Sequence, residues 1–244
     1  MSDYRALDPA KIIVTLERLE LRIGERFPNS GLSRLCHAIA DTARTAADKA
    51  AAIARPDFRL RILFGALVAC GLAALLVMVL QLDYARGADS VYSVLQGVDS
   101  GFNIIVLVGA AVLGVARQEK TSKRAKALKD LHELRSLMHI VDMHQLTKDP
   151  SVTTGHGPRT SSSPVRLTPF ELTRYLDYCS EMLSLTAKIA ALYAQSTSDD
   201  VVINTVNDLE QLAVNLSEKI WQKIALVREA ANTPTPLDTA KVAV

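Results

Sequence analysis

Cysteine is scarce in this chain, and its three copies, Cys36, Cys70 and Cys179, lie far apart. No CxxC pair exists, so neither a cysteine-held zinc site nor a disulfide framework organises the fold. The three thiols read as small buried hydrophobes. Glycine is also sparse, at 11 of 244 residues. None of it forms a phosphate-cradling loop or a dinucleotide-binding fingerprint. The G-x-S-x-G, HExxH and EF-hand patterns are missing too. Aromatic residues make up only 5%, and the alternation of a sheet protein is not seen. Acid and base nearly balance at a net charge of +2. That argues against nucleic-acid binding over the whole surface.

What is abundant is alanine and leucine. The chain is 49% hydrophobic and only 22% charged, a composition that favours helices. The expected fold class is all-α: a two-span transmembrane helical hairpin with cytosolic N-terminal helices and a C-terminal helical hairpin or bundle. The expected segments are 1–56 for the N-terminal cytosolic helices and 57–118 for the transmembrane hairpin. A juxtamembrane helix over 119–147, a flexible linker over 148–167, a C-terminal hairpin over 168–231 and a disordered tail over 232–244 follow.

The membrane reading rests on two apolar runs. Ile62 to Leu82 carries no charge and reaches about 30 Å as a helix, the thickness of a hydrocarbon core. The second run, Gly101 to Ala116, is shorter and extends back toward Leu95. Asp99 and Asn103 then fall near the far interface, where a polar group costs little. Gly65, Gly71, Gly109 and Gly114 offer close helix contacts. The opening "MSDYRALDPAKIIVTLERLE" has no apolar signal region, so the N-terminus is expected to stay where it is made. Arg55, Arg59 and Arg61 precede the first span, and Arg117, Lys120, Lys123 and Arg124 follow the second. Arg86 is the only base in the connector. The positive-inside rule places both termini in the cytoplasm. Those seven bases are the expected headgroup contacts. A bacterial inner membrane suits this layout.

Local signals mark the cytosolic helices. Asp8 and Pro9 fit a cap and first turn, followed by a stripe of Ile12, Leu16, Leu19, Ile23 and Phe27. "PNSG" breaks the chain before a helix with Leu35, Ile39, Ala43, Ala46, Ala50 and Ile53. No glycine or proline lies between Ala116 and Leu146, so the second span can continue, unbroken or after a short break equally allowed by the sequence, into a helix with Leu128, Leu131, Leu134, Met138 and Val141 on one stripe. Thr168, Pro169 and Glu171 form a capping box. Ser198 suits the cap of the last helix. Its seam of Val202, Val206, Leu209, Ala213, Leu216, Ile220 and Val227 suits an antiparallel partner or a coiled coil. Trp221 is expected in the core, and would be an interface anchor if exposed.

The richest chemistry lies in "HELRSLMHIVDMHQLTKDP". His132, Arg135, His139 and Asp142 fall on one arc and form a candidate polar docking face. His144 points away from it. His132 and His139 stand about 10.5 Å apart along an unbroken helix and cannot share an ion. His139 and Asp142 are the metal candidates, and they need ligands from another helix, such as Glu171, Asp177, Glu181, Asp208 or Glu210. A Ser136–His139–Asp142 triad lacks an oxyanion device. No catalytic residue and no cofactor is assigned. The expected function is a non-enzymatic, membrane-anchored scaffold or regulatory adaptor. Its partners are the lipid bilayer, copies of itself and other membrane-associated proteins, with no specific nucleic acid. One alternative is a subunit of an oligomeric channel or transporter for ions or small solutes. The other is a membrane-bound metal-dependent enzyme built on His139 and Asp142.

Overall fold

A computed structural model describes residues 6–84, 91–148, 150 and 167–232, leaving aside the side chains of residues 59, 61, 78, 79, 81–84, 91–94 and 96. The described residues form six helices and no strands. They are α1 (Pro9–Arg26), α2 (Gly31–Ala54), α3 (Phe58–Tyr84), α4 (Val91–Leu146), α5 (Pro169–Gln195) and α6 (Asp200–Asn232). The chain divides into two compact units. One is Arg55–Lys126. The other combines the segments up to Ala54 and from Ala127 onward. Most of the expected linker and tail, and Arg86 of the connector, lie outside the described residues.

The larger unit is a helical bundle around one apolar core. Asp8 caps α1 by accepting from the Ala10 amide at 3.0 Å, with Pro9 in the first turn. Ile12, Leu16, Leu19 and Ile23 are buried along its stripe. The α1–α2 turn passes through Asn29 at φ 58°, a left-handed conformation that asparagine tolerates. The Ser30 hydroxyl then accepts from the Ser33 amide. Ala40, Ala43, Ala46 and Ala50 of α2 are all buried, so this alanine face packs in the core. Small side chains let neighbouring backbones approach.

Helix α5 is buried on most of its circumference. Its capping box is complete: the Thr168 hydroxyl accepts from the Glu171 amide, and Glu171 accepts from the Thr168 amide. Leu172, Leu176, Cys179, Leu183 and Ala190 are buried as the stripe implies. Tyr175, Tyr178, Met182, Leu185, Thr186, Ile189, Leu192 and Tyr193 join them. The periodicity understated this helix because α5 packs against α1, α2 and α6 together.

Helix α6 corrects two expectations, its cap and its tryptophan, and keeps a third, its seam against an antiparallel partner. Its cap is Asp199, whose carboxylate accepts from the amides of Val201 and Val202; a carboxylate is the better complement to the helix dipole. Its seam is buried along with Ile224, and α6 packs against α5. The seam is therefore consumed within the chain. Trp221 is 54% exposed, because it stands one position beyond the buried Ile220, about 100° around the helix.

The smaller unit contains α3 and the first part of α4. Gly71 is buried against Val108: a Cβ at Gly71 would lie 2.6 Å from a Val108 methyl. Gly65, Gly109 and Gly114 meet nothing within 4 Å of an added Cβ, so one of the four glycines makes the expected close contact. A clasp closes the base. Glu119 accepts from the Asp57 amide at 3.1 Å, and the Lys123 ammonium donates to the Arg55 carbonyl at 2.7 Å while pairing with Glu119. One described helix, Gly97–Leu146, is long and apolar enough to cross a membrane. Phe102, Leu107 and Leu113 along it are exposed. The described apolar stretch of α3, Ile62–Val77, is shorter. Its expected extension to Leu82 includes side chains outside the description. One span therefore qualifies by length and composition where two were expected.

The glycine contact gives a differential test. Gly71→Val should destabilise the α3–α4 pair by about 1–3 kcal/mol through overpacking. Gly109→Val, with the same change in helix propensity, should cost less. Thermal unfolding in one detergent, followed by circular dichroism, checks the difference. Equal losses would show that the close approach does not matter.

Candidate functional site

From Ala127 to Leu146, α4 lies in the larger unit. Ala127, Leu131, Leu134, Met138 and Val141 face its core. Leu128 is only half-buried. The core-facing direction falls on Ala127 instead, whose small side chain permits close packing.

The expected docking arc is split by depth. His132 and His139 are exposed, whereas Arg135 and Asp142 are half-buried. Asp142 accepts from the Gln145 side-chain amide at 2.6 Å. Ser136 donates to the His132 carbonyl of its own helix. The other proposed ligands are engaged elsewhere: Glu171 in the α5 cap, Asp177 with Arg174, and Glu181 with Arg22. Asp208 and Glu210 are exposed on α6. Among the described residues, no group of three or more His, Cys, Asp or Glu side chains could hold a metal ion. Of the headgroup candidates, Arg55, Arg117 and Lys120 are exposed, Lys123 serves the clasp, and Arg124 is half-buried. The side chains of Arg59 and Arg61 lie outside the description.

His144, which the helical wheel set apart, turns out to be the histidine in a crowded corner. Its imidazole lies against the start of α2, where a Cβ on Gly31 would come 2.6 Å from the ring. A larger residue there would make the ring shift. The Tyr175 hydroxyl stands 3.3 Å from Nδ1. Burial pushes the Tyr175 hydroxyl up, so it stays protonated and can donate to a neutral ring. His144 itself titrates below its ordinary value. Partial burial is the first cause, and the charges of Lys148 and Arg34 follow. Beside it, the Gln145 carbonyl accepts from the Lys223 ammonium at 3.0 Å and the Lys148 amide at 3.1 Å. The Lys223 ammonium thus meets the negative end of α4, and the Lys148 ammonium stands 5.0 Å from the Tyr175 ring centre.

A second polar node ties α4 to the bundle. Asp130 accepts from the Lys49 ammonium at 2.8 Å and from the Tyr193 hydroxyl at 3.0 Å. It joins α2, α4 and α5. Burial, followed by the Asp130 charge, raises the Tyr193 hydroxyl and keeps it a donor. The buried thiols of Cys36 and Cys179 are pushed up to about 12 by burial, so both are poor nucleophiles.

Sequence reasoning missed a trough along α1. Arg22, Glu25, Arg26, Arg174 and Tyr178 line one groove; Thr15, Arg18, Leu21, Arg22 and Glu25 line its neighbour. Each holds about 430 Å³. The guanidinium carbons of Arg22 and Arg174 stand 5.7 and 5.1 Å from the centre of the Tyr178 ring, and that of Arg26 stands 5.2 Å from Phe170. Four-residue spacing of Arg18, Arg22 and Arg26 is visible in the sequence. Only the fold shows that α5 brings Arg174 and Tyr178 to the first groove, whereas the second is lined by α1 alone.

No protein-family model, curated protein or solved structure matches the chain.

The His144 corner predicts a pH dependence. A histidine whose folded value is lowered costs stability once the unfolded chain begins to bind its proton. Stability of the bundle should be unaffected by this group above its ordinary value of 6.5. It should fall as pH drops below 6.5 toward the lowered folded value. Denaturant unfolding of the wild type and of His144→Gln, from about pH 7 to about pH 5, checks this. The variant should lose part of the slope. Parallel curves would remove His144 as the cause.

Proposed function

We propose that the chain is a non-enzymatic, membrane-anchored scaffold or regulatory adaptor. The observation that carries this reading is α4. One uninterrupted helix contains the span-length apolar segment and also contributes Ala127, Leu131, Leu134, Met138 and Val141 to the bundle core. The bundle and the apolar segment thereby share one helix. In the fuller form of this reading, α3 is a second span and both termini are cytoplasmic. The cell is bacterial and the membrane its inner one. Arg55, Arg59, Arg61, Arg117, Lys120, Lys123 and Arg124 then lie at headgroup level, where bases attract anionic lipid. The exposed arc of His132 and His139, flanked by Arg135 and Asp142, is a surface for a partner.

Topology tests the anchor. A single cysteine placed at Ser2 or Ser198 in a background with Cys36, Cys70 and Cys179 replaced should be shielded from an impermeant thiol reagent in sealed cells. It should react after permeabilisation. Labelling of Ser2→Cys or Ser198→Cys in sealed cells would overturn the proposed orientation. Extraction of the protein by carbonate would overturn the integral anchor. Crosslinking in native membranes, followed by identification of the captured proteins, tests the adaptor role.

A second reading has one observation in its favour. Asp99 and Asn103 are four residues apart on α4, so they share a face, and both are exposed. Several copies could gather these groups into a polar seam for ions or small solutes. Conductance of the pure protein in planar bilayers, reduced about tenfold or more by Asp99→Ala, supports that reading. A silent wild type removes its self-sufficient form.

A further inference from the structure

We infer that the outer face of α4 in the smaller unit, centred on Asn103, is the contact surface for a second copy of this chain within the membrane. This rests on the anchor reading above. It takes the Asp99–Asn103 face as a closed contact between two chains, not as a path for ions.

The face is defined by what α3 leaves uncovered. Val108 of α4 meets Gly71 of α3, and Gly101 on the same side of α4 is buried. Asn103, Val106, Ala110 and Leu113 project about 140–160° around the helix from Val108. All four are exposed. They follow one another at steps of three, four and three residues, the rhythm of a paired-helix seam. Asp99 and Arg117 extend that rhythm by four residues at either end.

Depth gives Asn103 its weight. With Arg117 at headgroup level, Asn103 stands fourteen residues further along the helix, about 21 Å along the axis. In a hydrocarbon core about 30 Å thick it lies about 9 Å short of the opposite edge. Measured from Arg117, only Asp99 reaches the far interface. Asn103 therefore brings two N–H donors and a carbonyl acceptor into a region where lipid tails offer neither. Its side chain stands on the side of α4 away from α3, so the partner must come from outside the hairpin.

Symmetry commits the face to a second copy. A carboxamide is its own complement: the N–H of one donates to the carbonyl of the other, and the return bond forms in the same way. Two copies inserted in the same direction hold Asn103 at the same depth, so a two-fold axis along the membrane normal sets the two side chains face to face. A different protein would have to bring a donor and an acceptor to that depth independently. Ala110, two turns along the seam, lets the backbones approach. Asp99 and Arg117 meet their own like charges at the two wet edges. They confine the close contact to the stretch from Asn103 to Leu113. One polar group in an otherwise apolar seam then fixes register and the number of chains.

The test uses the full chain in native membranes, in a Cys70→Ala background that removes the exposed native thiol. Cys36 and Cys179 stay, because both are buried. Ala110→Cys, treated with a lipid-permeant oxidant, should give a disulfide-linked product of twice the chain mass. Ile105→Cys, also exposed but about 120° off the seam, should give little. At low expression, Asn103→Val added to Ala110→Cys should lower the crosslinked fraction about threefold to thirtyfold. Asn103→Gln keeps the carboxamide and should retain most of it. Equal crosslinking at the two positions, none at Ala110→Cys, or a yield indifferent to Asn103→Val would each overturn the contact. So would a product joining this chain to a different membrane protein. Carbonate extraction separates the failures. Chain that stays in the membrane pellet yet gives no product at Ala110→Cys sinks the second-copy contact and leaves the anchor standing. Chain released by carbonate removes the anchor, and the contact with it.

Discussion

One backbone ladder, running unbroken through α4, governs this molecule. No residue between Ala116 and Leu146 releases the helix. Its apolar first part has exposed side chains, whereas its last turns are polar on one side and packed on the other. The same hydrogen-bonded rod must therefore satisfy two environments. The change of pattern near Ala127 is where the chain moves from one compact unit to the other.

Everything in the bundle that touches α4 helps hold those last turns in register. Asp130 is gripped from α2 and α5. At the other end, Gly31 lies against His144, and Lys223 meets the Gln145 carbonyl. Between these nodes the contacts are apolar: Leu131, Leu134, Met138 and Val141. Polar groups at the ends and aliphatic groups between them give direction as well as adhesion. Hydrogen bonds between partly buried charged groups discriminate against a helical slip, while apolar burial supplies most of the stabilisation.

Two polar surfaces of the bundle differ in how they could be seen. The His132–Asp142 arc is local: spacing alone places the four residues together, and the structure adds depth, leaving the histidines outermost. The arginine trough is not local. Arg18, Arg22 and Arg26 form a visible row, yet Arg174 and Tyr178 lie far along the chain. A helical wheel also put His144 off the arc but could not show what it meets. That required α2 to arrive beside α4, with Gly31 against the ring.

Local physical chemistry determined the helices, since caps, breakers and period depend on neighbours within a few residues. Asp8, the Thr168–Glu171 box and the stop at Leu146 were legible for that reason. Partner choice was decided by tertiary structure. The α6 seam could have joined another chain, but α5 covers it. Trp221 could have been core, but the buried line passes through Ile220. The mostly buried surface of α5 has no single stripe because several helices surround it. Periodicity reports one buried face well and a helix wrapped on many sides poorly. The sequence by itself determined which segments are helical, but it allowed a short break after the membrane as readily as the unbroken α4 that the structure has. Which faces meet, and which are left open for a partner, was decided only by packing, because apolar attraction has no direction and shape must choose among its possible matches.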